Sequence, residues 1–240
     1  MDNARLAQDL NLYSHQIEDA CMSKQPLALG AILYPGFEML DLFGPLEMFS
    51  IVPREQLTIY MIAEQAGPVP AALGMEITGP KVIADYSFND APPLDILLLP
   101  GGIGTIPELN NARMLNFLAE RSKSAKITAS VCSGSALLAK AGVLDGHRAT
   151  SNKQLFALAT NQSDKVTWVE AARWVDDGPV VTGSGVSAGT DMGVAIIQRL
   201  WGNDMAHMVA EAAEYTWHKD ADNDPFVSGL NKAAGILGLV

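Results

Sequence analysis

The stretch Ile127–Leu138, ITASVCSGSALL, joins a short apolar run to a run of small residues, with a cysteine at the junction. The pattern predicts a buried strand over Ile127–Val131, a helix opening over Ser135–Lys140, and Cys132 on the sharp turn between them. A thiol there faces unpaired backbone N–H groups and the positive end of a helix macrodipole, both of which favour the thiolate. On this reading Cys132 is a nucleophile. The other reading makes it a small buried hydrophobe, the commoner fate of a lone intracellular cysteine. Ser133, Gly134 and Ser135 keep the sulfur approachable, and Ser133 brings a hydroxyl that can donate to it. Cys21, in a polar N-terminal segment, has none of this support.

Working outward, apolar runs at Leu27–Leu33, Leu57–Ile62 and Leu94–Leu99 alternate with helix candidates at Gly44–Ile51, Asn111–Ser122 and Ser135–Ala141. The run LDILLLP is nearly continuous, as in a strand covered on both faces. A Gly/Pro/Ala-rich hairpin region precedes it, ending at Lys81. Short strands are expected at Val166–Val169, Ala172–Val175 and Val180–Thr182, the last two joined by the turn Asp177-Gly178. Helices follow at Gly193–Trp201 and Met205–Trp217. Strands alternating with helices predict an α/β fold, a three-layer sandwich with a mainly parallel sheet. Residues 1–24 carry Leu6, Leu10, Tyr13 and Ile17 at helical spacing and read as an amphipathic helical extension. Residues 25–240 read as one domain.

The formal net charge of -11, with only 16 Lys and Arg, argues against nucleic acid and against an anionic membrane surface. The N-terminus has neither a basic nor an apolar leader region, and no apolar run is long enough to span a membrane, so the chain reads as cytoplasmic. Two widely separated cysteines and four scattered histidines give no disulfide framework and no metal-ligand spacing. No metal and no cofactor is expected.

In parallel sheets chemistry collects beyond the carboxyl ends of the strands. Three segments are expected there: Tyr34–Gly44, Pro100–Thr105 and Val131–Ser135. The turn Pro100-Gly101-Gly102-Ile103-Gly104 can aim backbone N–H groups at a developing anion, or be plain loop chemistry. Asp41, flanked by Leu40, Leu42 and Phe43, is either an acid whose pKa is raised by apolar walls or the cap of a helix starting near Gly44-Pro45. Glu38 and Glu47 fall on loop or helix surfaces. His147 sits in a polar turn, and His15, His207 and His218 sit in expected surface helices, so no histidine is tied to Cys132 by spacing. Phe37, Phe43 and residues 152–156 are expected to wall an apolar pocket.

The segments YPGFEMLDLFGPLEMF, LLLPGGIG, ITASVCSGSALLAKAGVLDGHRATSNK and VVTGSGVSAGTDM together resemble the ThiJ/PfpI (DJ-one) superfamily. The likeness covers roughly residues 28–217 and is nearest to its isocyanide (isonitrile) hydratase branch. It implies the flavodoxin-like, class I glutamine amidotransferase-like fold, a homodimer and a small-molecule substrate. It also implies a catalytic pair of Cys132 and Asp41, with the Gly102 and Ile103 N–H groups and Ser133 steadying the intermediate. Asp191, in SAGTD, reads as a helix cap. The same pattern occurs in ligand domains of AraC-type regulators, which carry a helix-turn-helix pair for which the residues after Trp217 are too few. Many relatives have histidine where this chain has Asn152, a departure that weighs against protease, amidase or glyoxalase action. A different class of function is a redox or ligand sensor using an oxidisable Cys132.

Overall fold

The computed structural model describes residues 25–239. The amphipathic extension expected over residues 1–24, with Cys21 and His15, lies outside the described residues. In chain order the elements are β1 (Leu27–Leu33), α1 (Met39–Ser50), β2 (Leu57–Ala63), β3 (Gly67–Pro70), β4 (Lys81–Ala84), β5 (Tyr86–Ser87) and β6 (Ile96–Leu99). They continue through α2 (Thr105–Glu108), α3 (Ala112–Ser122), β7 (Ile127–Val131), α4 (Gly134–Lys140), β8 (Arg148–Ala149), α5 (Phe156–Thr160) and β9 (Thr167–Trp168). The chain then forms β10 (Trp174–Asp177), β11 (Val180–Gly183), α6 (Ala188–Trp201), α7 (Asn203–Ala212) and α8 (Lys232–Ile236).

Seven strands form one sheet in the order β10-β11-β7-β6-β1-β2-β5. Every pairing in it is parallel except β10 with β11. Strands β6, β7 and β11 are buried at every position, the mark of a sheet covered on both faces. Helices α1, α6 and α7 pack together as one layer, and α4 packs with α2, α3 and α5 as the other. The fold is thus the three-layer α/β sandwich expected from the alternating pattern. Close approach of α6 to α1 and to the sheet depends on missing side chains: a Cβ on Gly193 would lie 3.1 Å from Pro45 of α1, and one on Gly189 would lie 2.7 Å from the Val131 side chain of β7.

Two helices begin earlier than their sequence pattern indicates. α1 starts at Met39 rather than Gly44, so Pro45 is inside the helix and Asp41 occupies its first turn. Pro45 has no N–H to return to the Asp41 carbonyl, a loss tolerated one turn from the helix start. Asp41 is therefore not the cap of a helix beginning at Pro45; the N-cap position is Glu38, which makes no side-chain cap bond. α6 starts at Ala188 rather than Gly193, its first turn hidden in the sequence by Gly189. α7 ends at Ala212, short of the expected Trp217.

The sheet order places the site. From β1 the chain steps to β2 on one side and later returns to β6 on the other, so the loops after β1 and β6 diverge and leave a crevice. Asp41 follows β1, the glycine turn follows β6, and Cys132 follows the neighbouring β7.

Candidate active site

Cys132 ends the buried strand β7 and begins the turn into α4 with φ of 58°, a left-handed conformation that is costly for a residue with a side chain. Bonds from both sides hold the strained turn. The Cys132 N–H donates to the Gly183 carbonyl at 3.1 Å, and its carbonyl accepts from the hydroxyls of Ser135 and Ser151, each at 3.1 Å. The side chain is 6% exposed.

Asp41 is fully buried. One carboxyl oxygen, Oδ2, accepts the Gly101 N–H at 2.8 Å, while Oδ1 has no well-formed hydrogen bond. Burial pushes its pKa well above the carboxylate range; the Gly101 N–H opposes this, the charge of Glu38 adds to it, and the nearby Cys132 thiol opposes it as a donor. Burial, followed by the charge of Asp41, likewise drives the Cys132 thiol well above its ordinary pKa. The Ser133 backbone N–H and the Asn152 amide pull in the other direction. The helix terminus does not win here, contrary to the low thiol pKa expected from the turn. Two acids in one dry space instead hold a proton between them.

Asn152, in the loop after β8, donates from Nδ2 to Cys132 Sγ at 3.1 Å. Its Oδ1 accepts the Leu155 N–H at 3.0 Å, which fixes the amide orientation so that the donor faces the sulfur. Among the described residues no histidine lines the cavity around the thiol. His147 instead pairs with Asp177, at 2.8 Å.

The glycine turn is bound to the elbow through hydroxyls. Gly102 N–H donates to Ser133 Oγ at 3.1 Å, Ser133 Oγ lies 2.9 Å from Thr105 Oγ1, and Thr105 Oγ1 lies 3.0 Å from the Tyr34 hydroxyl. Tyr34 donates to the Pro100 carbonyl at 2.8 Å. A carbonyl only accepts, so the chain runs one way, from Gly102 through Ser133 and Thr105 to Tyr34 and Pro100. The Ser133 hydroxyl is shared with Thr105, and Ser133 bears on the sulfur through both its backbone N–H and its side chain. The Gly102 N–H is likewise engaged, whereas the Ile103 N–H makes no hydrogen bond among the described residues. Gly101 and Gly102 are required by crowding. A Cβ on Gly101 would lie 2.6 Å from Ser133 N, and Gly102, at φ 133°, would bring one 2.8 Å from the Phe37 carbonyl carbon.

Above the sulfur lies a cavity of about 210 Å³, walled by Gly102, Ile103, Ile106, Leu155, Leu158, Val186 and Met75, with Glu38 as its charged lining residue. Phe37 and Phe43 do not line it: Phe37 is buried in the core and Phe43 is 44% exposed. Glu38, which reads as a surface acid in the sequence, sits at the cavity because α1 begins one residue after it. Of residues 152–156, expected in an apolar wall, Leu155 lines the cavity, and Leu158, beyond that range, joins it. Asp191 is not a cap either: it accepts from Arg173 Nε at 2.8 Å, the Tyr215 hydroxyl at 2.9 Å and the His218 N–H at 2.9 Å, a buried tie between β10 and α6. Among the described residues no cluster of three or more His, Cys, Asp or Glu side chains could hold a metal ion, and no helix is long and apolar enough to cross a membrane.

The isonitrile hydratase of Pseudomonas putida is 32% identical to this chain over 208 residues, covering 85% of the chain and 82% of that protein. The HTH-type transcriptional regulator CdhR of Pseudomonas aeruginosa is 25% identical over 75% of the chain, which spans 52% of the regulator's length. Among solved structures, a ThiJ/PfpI family protein of Pseudomonas syringae superposes with a TM-score of 0.71 at 30% identity, over 90% of this chain and 86% of that one. Residues 30–199 match the DJ-1/PfpI family. With the elbow cysteine, the glycine turn and the first-loop aspartate brought together as that likeness requires, the chain belongs to the DJ-1/PfpI family.

Proposed function

We propose that the protein is a cysteine-dependent hydratase that adds water to a small isocyanide and releases an N-substituted formamide. The observation that carries this reading is that Cys132 opens onto an apolar cavity while the Asn152 amide donates to its sulfur and the buried carboxyl of Asp41 bears on its thiol from behind. The similarity to an isonitrile hydratase supports it.

An isocyanide is neutral and carries a divalent terminal carbon that accepts a nucleophile and then needs a proton on that same carbon. In the reactive form of the pair the proton sits on Asp41 and the sulfur is a thiolate held by Asn152 Nδ2 and the Ser133 N–H. The thiolate attacks the terminal carbon, forming the C–S bond, while Asp41 delivers its proton to that carbon; the product is a thioimidate. Water then adds to the thioimidate carbon, giving one proton to the nitrogen through the Asp41 carboxylate. Collapse of the adduct breaks the C–S bond, and the hydroxyl proton returns to the Cys132–Asp41 pair as the formamide leaves. One isocyanide and one water are consumed and the enzyme is restored. The free Ile103 N–H is the donor available to the adduct's oxygen, while Gly102 and Ser133 hold the turn that presents it.

Nothing in this scheme requires an imidazole, since no amine is expelled. The same reading takes the protein as a cytoplasmic homodimer with a small-molecule substrate and no resident cofactor. The test is incubation with an alkyl or aryl isocyanide, the formamide being followed by NMR; absence of formamide with either class would refute it.

A further inference from the structure

One wall of the thiol's cavity comes from outside the residues that match the family. Ala233 and Leu237 of the C-terminal segment face Leu155, Leu158 and Ile106 across it. The segment is fastened rather than draped. Asn231 N–H donates to the Lys153 carbonyl at 2.7 Å and Ala234 N–H to the Gln154 carbonyl at 2.9 Å. Asn231 Oδ1 accepts the Ala157 N–H at 2.7 Å, and Asn161 Nδ2 donates to the Leu239 carbonyl at 3.1 Å. Upstream, Asp224 is buried between Lys153 and the Ser184 hydroxyl, and within the last helix Ala234 is buried. Every downstream anchor falls on residues 153–161, immediately after Asn152.

Size and polarity limit what such a chamber accepts. An apolar cavity of ~150 Å³ holds benzene, so about 210 Å³ takes one ring or a short branched chain beyond the reacting carbon. Glu38, the charged residue at the wall, opposes an anionic tail. The other walls come from α2, α5, the elbow loops and the loop between β3 and β4 at Met75. Ala233 and Leu237 lie outside residues 30–199, the part that matches the family, so this side of the cavity is closed by a segment beyond that matched part.

We propose that Ala233 and Leu237 are specificity-determining residues that make the C-terminal segment a size filter, admitting compact, uncharged electrophiles to Cys132 and excluding bulky or anionic ones. The proposal rests on the reading of Cys132 as a nucleophile toward small electrophiles and adds the substrate class.

The test compares alkylation of Cys132 by iodoacetamide and by N-phenylmaleimide, read by peptide mass, in the full chain and in Leu237→Ala and Ala233→Phe. Leu237→Ala is expected to raise the ratio of the maleimide rate to the iodoacetamide rate at least fivefold, and Ala233→Phe to lower it by a similar factor. A ratio that stays within twofold in both variants overturns the filter. Leu237 is 45% exposed, so its truncation leaves a folded protein to measure even where the phenylalanine variant does not fold. The readout needs no turnover. A shifted ratio without formamide production sinks the hydratase reading and leaves the filter standing; formamide production with an unshifted ratio does the reverse.

Discussion

Asn152 Nδ2 donates to Cys132 Sγ at 3.1 Å. The amide offers a hydrogen bond but no proton of its own to exchange, so acid–base work falls to Asp41. A hydrogen bond to a charged group is worth about 1.5–3 kcal/mol. Replacing Asn152 by Ala is expected to lower kcat/KM for an isocyanide by roughly 10- to 100-fold, by that energy. It should also move the thiolate absorbance at 240 nm to higher pH. An unchanged titration would mean the contact does not act on the thiolate.

Asp41→Asn tests the carboxyl. Positioned acid catalysis supplies about 10²- to 10⁴-fold, and a loss of kcat in that range is expected while the Gly101 N–H keeps an oxygen to bond. Stability should move in the opposite direction. Asp41 has a folded pKa above its unfolded value, so its contribution is full below the unfolded pKa and lost as pH rises through the folded one. The asparagine variant removes that loss and should melt higher than wild type at neutral and alkaline pH, by an amount on the order of 1 kcal/mol per pKa unit. A lower melting temperature at pH 8 would contradict this account.

Lys153 is 2% exposed, and burial lowers its pKa to about 8 despite the charge of Asp224 nearby. Between about 8 and the unfolded value of roughly 10.4, the unfolded chain binds the proton that the folded chain has released. Stability from this group therefore rises with pH in that window and is flat below it. Lys153→Met should abolish that rise, so that the wild-type minus variant difference in unfolding free energy grows by up to about 3 kcal/mol from pH 7.5 to 10. Denaturant melts at both pH values measure it; a constant difference would show that Lys153 titrates normally.

Gly102→Ala meets two obstacles together: φ of 133° and backbone atoms of residues 36–38 within 2.8 Å of the new Cβ. A destabilisation of about 2–4 kcal/mol is expected, in the range for strain and overpacking. The loss of isocyanide turnover should exceed 100-fold because the turn carries the Ile103 N–H. Urea melts and single-turnover rates on the folded fraction separate the two effects. An alanine variant with wild-type turnover would show that the turn does not present a donor.

The architecture was legible because its central strands are unbroken apolar runs: ILLL in β6 and ITASV in β7 pair in register within the sheet. The elbow was legible for the same reason, since the apolar run ITASV gives way at once to the small residues CSGS. Helix starts were not. Pro45 imitates a first helical residue although it lies inside α1, and Gly189 imitates a loop although it brings α6 against Val131. The error at α1 concealed Glu38, which reaches the cavity only because the helix begins beside it. The low thiol pKa expected from the turn alone omitted burial, which no local pattern reports. The Ser133 hydroxyl looked free in the sequence because its acceptor, Thr105, is distant along the chain. The C-terminal wall gave no periodic signal: its seat is a set of backbone bonds to residues 153–161, and main-chain pairing leaves little trace in side-chain pattern.

The central claim is covalent: Cys132 bonds to the isocyanide carbon during turnover. Acid quench of the protein turning over an aryl isocyanide, followed by peptide mass, measures it directly. The account predicts an added mass equal to one isocyanide on the Cys132 peptide, slower to appear in Asp41→Asn, which lacks the proton that completes the adduct, and no formamide from Cys132→Ala. Formamide formed at the wild-type rate by Cys132→Ala, with no adduct on the wild-type peptide, would contradict it.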